Sequence, residues 1–282
     1  MLLATAAGLA MGALLGVEPA AGADTLTEAD DPAVRNRLRA MLFTGQAFTF
    51  LLPGLLVARW LHGRAWIRTL RLWPAPTPGQ LLVGVLMMFC AVGLVAFTYQ
   101  LNQAVPLPEW AASAESRADG MLETVLRMES VTELLVNLLL VGLLAGIGEE
   151  LVFRGLLQPT LTRLFGGRAQ AAVWGTAILF SAVHFQWGGF LPRLVLGVLL
   201  GYLFLLTGRL WVPIVAHVAN NGFQVAGAFW LDESAAAAIE EAPAVTPLQA
   251  GCSLLLVLLG GFALQRISAP PVSPPSSQAP DE

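Results

Sequence analysis

Apolar runs long enough to cross a bilayer as helices follow one another along almost the whole chain, and they leave few folds open. Spanning the roughly 30 Å hydrocarbon core takes about 17–25 mostly apolar residues in a helix, because in lipid each segment has to satisfy its own backbone N–H and C=O groups. Eight such runs are predicted, at 1–17, 41–60, 81–99, 131–164, 169–185, 191–207, 210–230 and 248–264. The 282 residues are 56% hydrophobic and 12% charged, a balance that a soluble domain of this size does not keep. The expected fold class is therefore all-α: a polytopic transmembrane bundle of about eight helices, embedded in the lipid bilayer.

The first run resembles a signal peptide with small residues near Ala20–Ala23, but it has no basic residue ahead of it and reads better as an uncleaved helix. Between the second and third runs, Arg59, Arg64, Arg68 and Arg71 alternate with Trp60, Trp66 and Trp73, the composition of a segment lying in the membrane interface. Residues 101–130 form a long polar connection with a short amphipathic helix expected near 121–128. An acidic loop with Asp232, Glu233, Glu240 and Glu241 precedes the last run, and the Pro- and Ser-rich end is expected to be disordered. Four regions result: N-terminal helices and loops at 1–130, a core at 131–230, the acidic loop and last helix at 231–266, and the tail at 267–282.

All 15 basic residues are arginine. Arg59–Arg71, Arg154–Arg168, Arg209 and Arg266 fall on one side of an eight-helix alternation and the acidic connections on the other, which puts both termini in the cytoplasm. Arg35, Arg37 and Arg39 run against this pattern. No basic patch is dense enough for nucleic acid. Cys90 and Cys252 lie in apolar runs, where thiols act as small packing groups.

The stretch 140–158, LVGLLAGIGEELVFRGLLQ, breaks the apolar monotony with Glu149, Glu150 and Arg154. Ionisable groups at such depth cost about 2.5–3.5 kcal/mol each on insertion scales. Glu150 precedes Arg154 by four residues, the favourable order for an ion pair along one helix face, while Glu149 points about 100° away. That leaves one carboxylate over. His184, closing AILFSAVH, and His217, in IVAHVANNGF, add two histidines on other predicted helices, and Asn221 lies one turn beyond His217. Such a set suits hydrolysis. Glu149 can serve as general base on a water, His184 and His217 can hold a divalent metal or polarise the water themselves, and Asn221 can donate to an oxyanion. Packing by buried charges is the bland alternative for each. The chain has neither an HExxH helix nor a GxSxG elbow.

Three ordered motifs are similar to those of a known family. Glu149, Glu150 and Arg154 match EExxxR, Phe180 and His184 match FxxxH, and His217 and Asn221 match HxxxN. On these residues the chain resembles the type II CAAX prenyl endopeptidases, the CPBP or Abi intramembrane protease family, over about a third of its length. The resemblance implies an eight-helix intramembrane endopeptidase of the metallo- or glutamate type in a prokaryotic plasma membrane, its active site opening into an intramembrane polar cavity between the helices, with a membrane-associated peptide or protein as substrate. Glu149 would activate the water, His184, His217 and Asn221 would complete the site, and Glu150, Arg154 and Phe180 would support it. The motif leaves open a zinc ion on His184 and His217 or a metal-free glutamate mechanism, and the sequence leaves open the oligomeric state. Two other classes stay in play. One is a non-catalytic immunity or adaptor protein, the other an ion- or proton-coupled transporter; repeated halves and paired broken helices, which would favour transport, are absent from the sequence.

One tension stands inside this reading. Counted along the predicted runs, Glu149 falls near the cytoplasmic end of its helix and His184 near the outer end of the next, although a shared water needs them at one depth.

Overall fold

A computed structural model describes residues 31–231 and 243–269, and among these all regular structure is helical. Eight helices follow in order: α1 (Pro32–Thr69), α2 (Pro78–Gln103), α3 (Glu109–Leu126), α4 (Val131–Leu164), α5 (Ala169–Ala182), α6 (Phe190–Thr207), α7 (Trp211–Trp230) and α8 (Pro247–Ser268). The expected first helix at 1–17, the acidic loop's Asp232, Glu233, Glu240 and Glu241, and the tail beyond 269 lie outside the described residues.

Five helices, α1, α2, α4, α6 and α8, are long and apolar enough to cross a membrane. Their surfaces argue the same way. On α8, Leu255, Leu256, Leu258, Leu259 and Phe262 are all exposed, and only 17% of the apolar window is buried inside the protein. A soluble protein does not leave so large an apolar face to water, so the chain is an integral membrane protein. α7 matches the expected run 210–230, but His217, Asn220, Asn221 and Gln224 dilute its apolar character. α5 has only 14 residues.

Helix starts follow local chemistry. Asp31 caps α1 by accepting from the Ala33 N–H at 2.8 Å, with Pro32 at the first helical position, so α1 begins nine residues before the expected 41. Thr77 with Gln80, and Thr246 with Gln249, form capping boxes at α2 and α8. α3 is an 18-residue helix, longer than the short one expected near 121–128.

Early placement of α1 explains two of the three arginines that ran against the charge pattern. Arg35 and Arg39 are buried within α1, not free in a connection. Arg39 Nη1 donates to Glu133 at 2.7 Å, its Nε to Asn137 at 3.1 Å, and its Nη2 to the Val125 and Arg127 carbonyls; Arg35 pairs with Glu129 at 3.0 Å and Glu133 at 3.3 Å. This clamp locks the start of α1 beside the start of α4, and the two helices then run parallel: the first part of α1 lies against Leu138–Leu144 and its middle against Ala145–Glu150.

Small residues set the remaining approaches. A Cβ on Gly146 of α4 would stand 2.7 Å from Val218 Cγ2 and 3.2 Å from the Val218 nitrogen on α7. The Gly197 and Gly201 pair on α6 accommodates Ala177 and Val173 of α5 in the same way, the close-packing role expected for a GxxxG pair. The largest apolar core joins α2, α6, α7 and α8 through Met87, Met88, Leu200, Leu203, Val212 and Leu264.

Candidate active site

Half-way along α4 the helix widens twice. π-helical turns at Leu138–Leu144 and Leu151–Leu157 flank the regular segment Ala145–Glu150, which carries both glutamates. Such turns bond i to i+5 and recur at functional sites. The glycines open the neighbours: Gly146 admits α7, and a Cβ on Gly148 would lie 3.2 Å from the Leu51 nitrogen and from Phe50 Cβ, so Gly148 admits α1.

Glu150 and Arg154 form the pair expected from their spacing, with Nη1 to Oε1 at 2.7 Å and neither side chain exposed. The same Oε1 lies 2.9 Å from Nδ1 of His217. Arg154 Nη2 donates to the Gly197 carbonyl at 2.8 Å, and one turn on, Gln158 Nε2 donates to the Gly201 carbonyl at 3.1 Å. The guanidinium also stacks over the Phe180 ring, 4.7 Å from its centroid. Glu150 and Arg154 therefore anchor three helices, α4, α6 and α7, at one buried point.

Glu149 has looser company. Its Oε2 lies 3.9 Å from Nε2 of His217, beyond hydrogen-bond reach, and its Oε1 accepts from Gln46 Nε2 of α1 at 3.4 Å. With Nδ1–H donated to the Glu150 carboxylate, the His217 ring turns its Nε2 toward Glu149, the orientation that a carboxylate imposes on a working imidazole.

His184 sits in the turn after α5 and donates from Nδ1 to the Phe180 carbonyl at 2.7 Å, which leaves its Nε2 as the lone-pair atom. Phe180 gathers the two histidines: its ring centroid is 5.1 Å from that of His184 and 6.0 Å from that of His217. The mismatch in depth eases on the helix lengths. α5 rises only about 21 Å over 14 residues, short of the hydrocarbon thickness. The 34 residues of α4 extend over roughly 50 Å, which puts Glu149 near the middle of its helix.

The turn that carries His184 is tied from outside the core. Asn102 of α2 donates to the Trp187 carbonyl at 2.8 Å and accepts from the Leu191 N–H at 2.7 Å; Gln103 donates to the Gly188 carbonyl at 3.2 Å. From α3, Glu115 accepts from the Gly188 N–H at 2.8 Å and Asp119 from Gln186 at 3.1 Å. Phe185 has φ 56°, a left-handed conformation that a bulky residue adopts only when its surroundings hold it there. Partial burial, with the Glu115 carboxylate adding to it, raises the Asp119 carboxyl above its ordinary value.

Asn221 donates from Nδ2 to the Val141 carbonyl at 3.0 Å, in the first π turn of α4, and accepts from Asn220 at 3.2 Å. One N–H of its amide remains for another acceptor. For a metal, the two histidine Nε2 atoms are suitable donors in kind. Among the described residues, no group of three or more His, Cys, Asp or Glu side chains stands at the spacing of a ligand set for an ion.

The structure thus brings together Glu149, Glu150, Arg154, Phe180, His184 and His217, with Asn221 one turn along α7. Spacing along the chain did not reveal the Glu150 bond to His217, the restraints on the His184 turn, or Gln46. For Gln46 the signal was present as a lone amide in the apolar run FTGQAFTFLLP.

Comparison with known proteins follows the same boundaries. Residues 131–223 match the sequence model of the family described as Type II CAAX prenyl endopeptidase Rce1-like. A protein of Bacillus subtilis (strain 168), described as uncharacterized protein YpbD, is 31% identical over 85 residues, covering 29% of this chain. The aligned region spans 40% of the length of that relative. No solved structure gives a significant match. All seven motif residues lie within the matched segment, whereas α1, α2, α3 and α8 lie outside it.

Proposed function

We propose that the chain is an intramembrane endopeptidase in which Glu149 activates a water against the peptide bond of a membrane-associated peptide or protein. The observation that carries this reading is the facing pair Glu149 Oε2 and His217 Nε2, 3.9 Å apart, with His217 turned into place by Glu150. Both atoms are acceptors, and a water between them donates one hydrogen to each. Membership of residues 131–223 in the matched family supports protease chemistry at the family level.

In the reaction, Glu149 takes a proton from the water as its oxygen bonds to the scissile carbonyl carbon, and the C=O π pair moves onto oxygen. The remaining N–H of Asn221 donates to that oxyanion. His184 offers Nε2 as an acceptor to the substrate N–H. On collapse the C–N bond breaks, its electron pair stays on nitrogen, and Glu149 returns the proton to that nitrogen. Glu150 and Arg154 keep each other neutralised in a dry setting, and Phe180 holds the two imidazoles apart.

The bundle around this chemistry is read as eight transmembrane helices enclosing a polar cavity, in a prokaryotic plasma membrane with both termini cytoplasmic. Purified wild type in detergent or lipid is expected to cleave members of a fluorogenic apolar peptide library, and Glu149→Gln to lose that cleavage without losing its fold. Equal cleavage by both proteins would remove Glu149 from the reaction; coupled ion flux without cleavage would favour transport.

A further inference from the structure

We infer that Gln46 of α1 is a positioning residue for Glu149, and that the Arg39–Glu133–Asn137 clamp sets the depth at which it acts. The inference rests on the proposed role of Glu149, but its observations lie on a helix outside the segment that matches the family. Nothing in the EExxxR, FxxxH and HxxxN motifs requires a partner from α1.

Three features converge on Gln46. It is the last residue before the π turn Ala47–Leu51, and that turn packs against Gly148, the residue just ahead of Glu149. A glycine at 148 eases the approach, because a Cβ there would stand 3.2 Å from the Leu51 nitrogen, tighter than an ordinary contact. Gln46 Nε2 then reaches Glu149 Oε1 at 3.4 Å, opposite the oxygen that faces His217. The two oxygens are thereby assigned: Oε1 to the amide and Oε2 to the histidine side. A carboxylate free to rotate about its last bond would present either oxygen, and part of its time would be spent in an unreactive orientation.

Behind Gln46 lies a cavity of about 350 Å³ between α1 and α3, walled by Leu38, Leu42, Phe50, Met121 and Leu122 among others. Thr49 is the one other hydrogen-bonding side chain in that wall. The Gln46 Oε1 has no hydrogen-bond partner among the described residues. Little in these surroundings competes for the amide, and a low-dielectric setting strengthens the bond it does make.

The clamp supplies the register. Arg39 lies seven residues, two turns, before Gln46 on α1, and Asn137 lies twelve residues before Glu149 on α4. Because the helices run parallel, fixing Arg39 to Asn137 and Glu133 fixes where Gln46 meets α4. A slip of one turn would carry the amide about 5.4 Å from Glu149.

The test compares steady-state kinetics and thermal unfolding of the full-length protein in detergent, on any library peptide that wild type cleaves. Gln46→Met, of similar length but without a donor, is expected to lower kcat about tenfold, the low end for a hydrogen bond to a charged group, with KM and the unfolding temperature unchanged. Gln46→His, which restores an N–H at similar reach, should recover most of the loss. Arg39→Met should lower kcat and the unfolding temperature together. An unchanged kcat in Gln46→Met overturns the inference, and so does a fall in kcat accompanied by instability that Gln46→His does not repair. A wild type that cleaves no peptide overturns the protease reading itself, and this inference falls with it.

Discussion

Two charge clusters join α4 to its neighbours, one part-exposed and one buried, and they differ in how completely their atoms are used. At the start of the helix, Arg35 and Arg39 meet Glu129, Glu133, Asn137 and two backbone carbonyls, and Glu133 takes up both guanidinium groups and the Glu129 N–H as well. In the middle, two carboxylates share one guanidinium and one imidazole. There Glu150 Oε2 and Arg154 Nε have no hydrogen-bond partner among the described residues, and Glu149 touches only an amide at 3.4 Å and an imidazole at 3.9 Å. A satisfied cluster holds helices; an under-satisfied one in a dry setting keeps a group available for chemistry.

The sharpest way to break that contrast is to neutralise the least satisfied group. Glu149→Gln should cost roughly 10²–10⁴ in kcat, the usual worth of a general base, with the unfolding temperature nearly unchanged; a peptide-cleavage assay beside a melting curve reads both. Arg154→Met attacks the anchoring half of the same cluster and strands Glu150 as a buried unpaired charge. A loss of about 3–5 kcal/mol of stability is expected, and Glu150→Gln added to it should return part of that loss. Arg154→Lys should not substitute, since one ammonium cannot serve both the Glu150 carboxylate and the Gly197 carbonyl in the fork geometry.

At the other cluster, Glu133→Gln is expected to cost about 1.5–3 kcal/mol, the range for a hydrogen bond to a charged group, read as a lowered unfolding temperature. If it instead left stability intact and abolished cleavage alone, the division of labour between the two clusters would be wrong. The smallest effect belongs to Asp119, whose carboxyl the folded protein holds above 3.8. The folded state favours its protonated form, so its contribution is present below the unfolded pKa and is lost as pH rises through the raised folded value. Replacing it by Asn should remove that dependence. The gap in unfolding temperature between Asp119→Asn and wild type should widen slightly in favour of the variant as pH rises above about 4.

The under-satisfied cluster was far more legible in the sequence than the satisfied one. Glu149, Glu150 and Arg154 interrupt an apolar run, and their spacing fixes which two pair along one helix face. Arg35 and Arg39 pulled the other way: their charge lowered the hydropathy of the segment, and the helix was expected to begin at 41. Asp31-Pro32 carried the missing signal, a cap followed by a proline at the first helical position. Contacts between helices were not legible from spacing at all. The Glu150 bond to His217 spans 67 residues and the Gln46 bond to Glu149 spans 103, and periodicity reports only which face of one helix a residue occupies. The reach of α5 was misjudged for a related reason. Apolar composition runs on through Val183 and Phe185, but the helix stops at Ala182, and composition alone does not mark the stop.

The two π turns of α4 have a consequence for tinkering with the length of this helix. Each takes up about one residue more than a regular turn, and one residue of α-helix corresponds to about 100° of rotation. Deleting a single residue from Leu138–Leu144 would restore an ordinary helix there and leave Glu149 and Glu150 on nearly the same face, because the residue removed is the one that the wide turn absorbs. A matching deletion from Leu151–Leu157 would likewise keep Arg163 and the end of α4 nearly in phase with the glutamates. The wide turns are thus slack in the helix: a loss of one residue within either is taken up there, whereas a loss from the regular segment Ala145–Glu150 between them is a change of direction of about 100° for whatever follows it.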